Sequence, residues 1–177
     1  MKDALSIIAD EHRSLAAELK GLQAHVAEAR AGRVSADFHL AGAMLDYIQA
    51  FPERLHHPKE DEFLFRFLRL RSAEAASVLH ELEAQHTRGA ELLADLRRRL
   101  EQSQAAGDIC SFAQALDAYV QFQWDHTRIE EEVVFPMAQR HLTQQDWKAI
   151  DDGGTSSCRW PRLQFYRLSA AKRCNRI

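Results

Sequence analysis

The sequence predicts an all-α protein: an up-down-up-down antiparallel four-helix bundle with a short fifth helix and an irregular C-terminal tail. Along four long segments, apolar residues recur at alternating steps of three and four, which is the repeat of packed helices. The connections between these segments are short, and short connections make neighbouring helices antiparallel. The 177 residues include only 7 Gly and 4 Pro, too few for the many turns of an all-β chain.

The first two helices are predicted at about residues 3–30 and 35–70. Gly32 follows the first, as glycine commonly follows a helix C-terminus. Ser35 is the expected N-cap of the second, because its hydroxyl can accept a hydrogen bond from a free backbone N–H. Pro52 and Pro58 lie inside the second helix, where proline removes a donor, so we expect a bend or a break there.

The third and fourth helices are predicted at about residues 73–104 and 109–140. Gly107 and Asp108 separate them as a breaker followed by an N-cap. Residues 143–146 read Thr-Gln-Gln-Asp, the pattern of a capping box that opens a short fifth helix.

The chain divides into a bundle, residues 1–151, and a basic tail, residues 152–177, which we expect to pack loosely or not at all on the bundle. From Gly153 onward there are six basic residues and no acidic one, which leaves 17 basic and 26 acidic residues in the rest. The tail is interpreted either as a divergent basic arm or as the product of a reading-frame change.

The composition also indicates which kinds of partner and which cellular location to expect. An acidic body argues against nucleic-acid binding. No apolar run approaches the ~18 residues that a membrane span needs, so no membrane partner is expected. The three Cys include no CxxC pair, which predicts free thiols and a cytoplasmic location.

Each of the four apolar seams is interrupted by one histidine, and two of the seams also carry a glutamate four residues later. A spacing of four places both side chains on one helix face. Counting residues from each connection puts the whole set in one layer of an antiparallel bundle, within about one turn of ~5.4 Å. The set is His12, His56, Glu60, His86, His126 and Glu130.

Four imidazoles and two carboxylates buried together are costly unless they share a partner. A metal ion provides one, and a donor set of nitrogen and oxygen without thiolate suits iron, zinc or manganese. Two carboxylates from different helices can bridge two ions. Six protein ligands leave positions open for water, hydroxide, dioxygen or nitric oxide. The alternative is a coincidence of polar residues in the core.

These motifs resemble the hemerythrin-like, HHE cation-binding family over roughly residues 3–151. The matching segments are Glu11-His12-Arg13, His56-His57 with Glu60, Glu83 with His86, and His126 with Glu130-Glu131. The resemblance implies a non-haem di-iron site, with or without an oxo or hydroxo bridge, whose ligands are the six residues above. Zinc or manganese are expected substitutes for the two iron ions. Oxygen-carrying hemerythrins have a fifth histidine one turn away from the ligand on the third helix. In this sequence Leu82 and Ala90 occupy the positions one turn before and one turn after His86.

The resemblance implies a protein that binds or senses dioxygen, nitric oxide or oxidants, or that handles iron. The alternatives are a di-iron enzyme, with oxidase, peroxide-consuming or iron-sulfur repair activity, and a metal-free helical interaction protein. The sequence identifies no protein partner.

Several polar residues near the six are expected to stay outside the ligand set. His57 lies about 100° around the helix from its neighbour, so we expect it to contact a ligand or to face solvent. Glu83 is interpreted as solvated or as a hydrogen-bond partner of a histidine ligand. Asp61 and Glu131 read as part of a solvated acidic face.

Overall fold

The computed structural model of the protein describes residues 4–153, and these are helical with short connections and no strand. The all-α prediction is therefore confirmed for this part of the chain. The predictions for the tail concern residues outside the described range. The five helices are α1 (Ala4–Arg30), α2 (residues 38–71), α3 (Ala76–Ala106), α4 (residues 110–141) and α5 (Gln144–Gly153).

The helix ends show which of the predicted caps are used. Gly32 and Gly107 have φ values of 69° and 68°, the left-handed conformation that favours glycine. The prediction of Ser35 as the N-cap of α2 is wrong, because the Asp37 carboxylate accepts the hydrogen bond from Leu40 N at 2.8 Å. Asp37 is simply closer to the first apolar residue of the helix.

The capping box at the start of α5 is confirmed. Asp146 N donates to Thr143 Oγ1 at 3.2 Å, and Thr143 N donates to Asp146 Oδ2 at 2.9 Å. Asp146 also accepts two hydrogen bonds from the Arg71 guanidinium, at 2.8 and 2.9 Å. These bonds attach α5 to the C-terminal end of α2.

Both α2 and α4 contain turns of π-helix at the level of the polar layer. They are Gln49–His56 and Glu60–Phe65 in α2, and Glu130–Val134 in α4. The first includes Pro52, and its hydrogen bonding is of the i to i+5 type, since His57 N donates to Pro52 O. The helix is thus not broken at the prolines but widens, and π turns of this kind are frequent at functional sites.

Contacts between α2 and α3 join late residues of each helix to early residues of the other. Arg97 Nη1 of α3 lies 2.7 Å from Asp46 Oδ1 of α2, and Arg69 Nη2 of α2 lies 2.7 Å from Glu83 Oε1 of α3. These two helices therefore run in opposite directions.

The helices enclose two apolar clusters with a polar layer between them. One cluster includes Leu19, Leu45, Leu96 and Phe112, and the other includes Ile8, Phe65, Leu79 and Val134. All eight are nearly inaccessible to solvent, so the layer between them is shielded from water at both ends of the bundle. Within residues 4–153, no helix combines the length and apolar character that crossing a bilayer requires.

Candidate metal centre

The structure brings all six residues predicted from the sequence into the buried polar layer. His12 comes from α1 and His86 from α3, while α2 and α4 each supply a histidine and a glutamate. Each of the six is at most 7% exposed, and Glu60 and Glu130 are 1% and 0% exposed. Their oxygen and nitrogen atoms fall into overlapping groups within 4.8 Å of one another. The groups are His12, His56 and Glu60; and Glu60, His86, His126 and Glu130.

The Nε2 atoms of the four histidines all point at the two carboxylates. Nε2 of His56 lies 3.4 Å from Glu60 Oε1, and Nε2 of His126 lies 3.4 Å from Glu130 Oε1. Nε2 of His12 is 3.2 Å from Glu130 Oε2. The Nε2 atoms of His12 and His56 are 3.1 Å apart.

Each carboxylate divides its two oxygens between two pairs of histidines. Glu60 Oε1 faces His12 and His56, while Glu60 Oε2 lies 3.7 Å from Nε2 of His86. Glu130 Oε2 faces His12, while its Oε1 faces His86 and His126. Both glutamates therefore span the space between a His12–His56 pair and a His86–His126 pair.

The opposite ring nitrogen, Nδ1, of each histidine is held by an oxygen atom. Nδ1 of His12 donates to Glu131 at 2.9 Å and Nδ1 of His86 donates to Asp61 at 3.0 Å. For the remaining two rings, the partners are Glu11 Oε2, 2.7 Å from His56, and Gln85 Oε1, 3.0 Å from His126. Such contacts fix ring orientation and leave Nε2 for a ligand.

Asp61 and Glu131 are partly solvated as expected, with 37% and 44% of their side chains exposed, but each also accepts a hydrogen bond from a histidine of the layer, which was not predicted. Each directly follows a buried glutamate, and the two segments align at a constant offset of 70 residues. That repeat was the available signal, since a residue next to an inward-facing glutamate can reach the histidine of a neighbouring helix. Glu11 carried a similar signal by preceding His12.

Burial and the local charges divide the four histidines into two classes. Burial disfavours the charged ring of His86, but contacts with Asp61 and Glu130 outweigh it and raise the pKa of His86 to about 10. Burial likewise opposes charge on His12, and contacts with three carboxylates hold the pKa of His12 well above its ordinary value. Burial lowers the pKa of His126 to about 4 and that of His56 well below its ordinary value.

The pKa values of the buried carboxyl groups are also shifted in opposite directions. Burial raises the pKa of Glu60, and the negative charge of Glu130 adds to this effect. Burial also opposes ionisation of Glu130, but the surrounding imidazoles outweigh it and hold the pKa of Glu130 well below its usual range. Burial raises the pKa of Glu11 to about 8. Without a cation, these shifts favour the protonated forms of His86 and Glu11 near neutral pH, and they act in the same direction on His12 and Glu60.

The donor atoms that face the centre of the layer fit a bound cation. Within residues 4–153, no hydrogen-bond partner is found for either oxygen of Glu60 or Glu130, or for Nε2 of His86 and His126. Buried polar atoms are almost always paired. Imidazole nitrogen with carboxylate oxygen is a donor set for divalent iron, zinc or manganese.

Comparison with known families agrees with this geometry. The chain matches the model of the hemerythrin HHE cation binding domain over residues 3–138. The chain belongs to this family. The resemblance drawn from the sequence is therefore confirmed, as is cation binding as the property that the family shares. A comparison with curated proteins finds no match.

The structure of the hemerythrin domain also shows the contacts of His57 and Glu83, for which the sequence left alternatives open. Of the two expectations for His57, contact with a predicted ligand is confirmed and exposure to solvent is not: it is 4% exposed and stacks on His86 with ring centroids 4.3 Å apart. A helical wheel with 3.6 residues per turn could not decide between the two, because the backbone before His57 forms a π turn. Glu83 accepts a hydrogen bond from Arg69 at 2.7 Å.

A small cavity adjoins the centre of the hemerythrin domain beside His12. Its volume is about 10 Å³, close to the minimum that holds one water molecule. Its walls are mainly aliphatic and aromatic, and they come from α1 and α4. They are formed by His12, Leu15, Ala16, Leu19, Gln123, Trp124 and Thr127.

Proposed function

We propose that this chain is a di-iron protein that binds or senses a small molecule, such as dioxygen, nitric oxide or an oxidant, or that handles iron. Its ligands are His12, His56, Glu60, His86, His126 and Glu130, carried by an up-down-up-down four-helix bundle. The opposite directions of α2 and α3 support this arrangement. A cytoplasmic location belongs to the proposal because a reducing compartment suits the cysteine pattern.

One observation carries the proposal: both buried carboxylates place one oxygen towards each histidine pair. A single cation needs no such division, whereas two cations bridged by two carboxylates do. Bound iron would supply redox chemistry and positions for small exogenous ligands.

The chain's own residues supply orientation and shielding. The outer oxygens of Glu131, Glu11, Asp61 and Gln85 fix the imidazole rings. The two apolar clusters exclude bulk water. The cavity beside His12 favours an exogenous molecule of about the size of water.

The test is anaerobic loading of the metal-free protein with Fe(II), followed by metal analysis and optical spectra with and without dioxygen. We expect two iron ions per chain, with zinc or manganese as weaker competitors. Reversible spectral changes without consumption of the oxidant support binding or sensing, whereas turnover assigns the protein to the di-iron enzymes. Fewer than one iron per chain would contradict the proposal.

Substitution of ligands tests the assignment. His126→Ala and Glu130→Ala should each lower the iron content and the metal-dependent rise in melting temperature together, because a bound metal stabilises only the folded state. His80→Ala is the matched control, since His80 is exposed on α3. Unchanged iron content in both variants would remove them as ligands.

A further inference from the structure

We propose that His57 is a fifth imidazole ligand, bound to the same ion as His86 and His126. This inference rests on the proposed function and adds a residue to its ligand set. Ring nitrogens of these three histidines lie within 4.8 Å of one another. The ring of His57 lies parallel to that of His86, at an angle of 10°, and 5.4 Å from that of His126.

The outer side of His57 also faces a carboxylate, at a longer distance than the oxygen partners of the other four rings. Nδ1 of His57 lies 3.6 Å from Oε2 of Glu53, a side chain that is itself 9% exposed. In four rings of the layer Nδ1 is hydrogen-bonded to a carboxylate or amide oxygen, and in His57 the carboxylate lies just beyond hydrogen-bond distance. Rings oriented in this way present Nε2 to a metal. Nδ1 of His57 has no hydrogen-bond partner among the described residues, and movement of under 1 Å would bring it within reach of Glu53.

The π turns of α2 explain how two adjacent histidines both face the interior. A turn closed by i to i+5 hydrogen bonds holds more residues than an α-helical turn, so neighbouring side chains are separated by a smaller angle. His56 contacts His12, with ring centroids 5.0 Å apart, while His57 stacks on His86. The helix thus supplies one imidazole to each histidine pair.

The two metal positions are unequal as a result. One is faced by three imidazoles, from His57, His86 and His126, and the other by two, from His12 and His56. If both carboxylates are shared, an ion held by His12 and His56 would have fewer protein ligands than one held by the other three rings. His12 also lines the cavity.

The first experiment counts metal-bound rings in the unaltered protein. The chain is labelled with ¹⁵N-histidine and loaded with Zn(II), which is diamagnetic, and NMR identifies each ring nitrogen that is bound to the ion. We expect five bound rings, one of which disappears in His57→Phe. Four bound rings with two zinc ions per chain would overturn the inference and leave the proposed function intact. A chain that takes up no zinc or iron would contradict the proposed function itself.

The second experiment separates a ligand from a packing residue. In His57→Phe the ring that stacks on His86 is retained and the nitrogens are lost. The weaker zinc dissociation constant, measured by competition with a chromophoric chelator, should rise by at least tenfold, whereas His80→Phe should leave it unchanged. The melting temperature of the metal-free variant should equal or exceed that of the wild type, because an unpaired buried nitrogen is removed. Unchanged zinc affinity would overturn the inference, as would a loss of metal-free stability that accounts for weaker binding.

Discussion

Metal binding should release about two protons per chain at pH 7 from His86 and Glu11 alone, and further protons from His12 and Glu60, whose pKa values are also raised. Metal-free His86, with a pKa of about 10, carries essentially one proton at this pH, and the raised pKa of His12 favours its protonated form as well. Glu11, with a pKa of about 8, carries about 0.9 proton. Ligation requires neutral imidazoles, and a metal on His56 favours an ionised Glu11 that accepts from its Nδ1. His56 and His126 are already neutral, because their pKa values are lowered.

The release should also fall as the pH rises. Between pH 7 and pH 8.5 the proton occupancy of metal-free Glu11 drops by about 0.7, because its pKa of about 8 lies within this interval. His86 stays almost fully protonated over the same range. The total should therefore be lower at pH 8.5 than at pH 7 by at least the contribution of Glu11, about 0.7 proton.

A pH-stat titration of the unbuffered, metal-free protein with anaerobic Fe(II) measures this directly. Glu11→Gln is the informative variant, because an amide holds no titratable proton. It should release about 0.9 proton less than the wild type at pH 7, and its release should change less between the two pH values. A release below one proton at pH 7 in the wild type would refute the reasoning, as would an unchanged pH dependence in Glu11→Gln.

Two further predictions concern stability rather than the metal. Hydrogen bonds from Arg71 and Thr143 hold the pKa of Asp146 below its usual range, so Asp146 stabilises the fold only when it is ionised. The substitution Asp146→Asn should therefore lower the free energy of unfolding by about 1–2 kcal/mol at pH 7. The difference in unfolding free energy between the variant and the wild type should shrink as the pH falls below about 4, towards the pKa of Asp146 in the folded state. If denaturant melts give a difference that does not depend on pH, this prediction is contradicted. Gly42→Ala, whose Cβ would meet Leu100 Cδ2 at 3.9 Å, should raise the free energy of unfolding by about 0.5–1 kcal/mol; a loss of stability in urea melts would show that the added methyl group is not accommodated.

Hydrophobic spacing was sufficient to predict the helices. The seams that contain Leu19, Leu45, Leu96 and Leu116 become one face of the apolar core, because burial of one helix face dominates the folding of such segments. Local capping was less predictable. Ser35 and Asp37 are both good N-caps, and only the structure shows which carboxylate or hydroxyl meets the first free N–H.

The six residues of the centre could be located by counting because a straight helix rises uniformly. Their outer partners could not, since these contacts cross between helices and depend on rotation as well as height. His57 illustrates the limit. Its position depends on the π-helical hydrogen bond from its own N–H to Pro52 O, and an ideal helical wheel contains no such turn.

The cavity beside His12 has a consequence for selectivity. A space of about 10 Å³ holds one occupant at a time, so any incoming molecule competes with solvent instead of binding alongside it. Water enclosed by aliphatic and aromatic walls forms few hydrogen bonds and is displaced at little cost, most readily by a nonpolar guest.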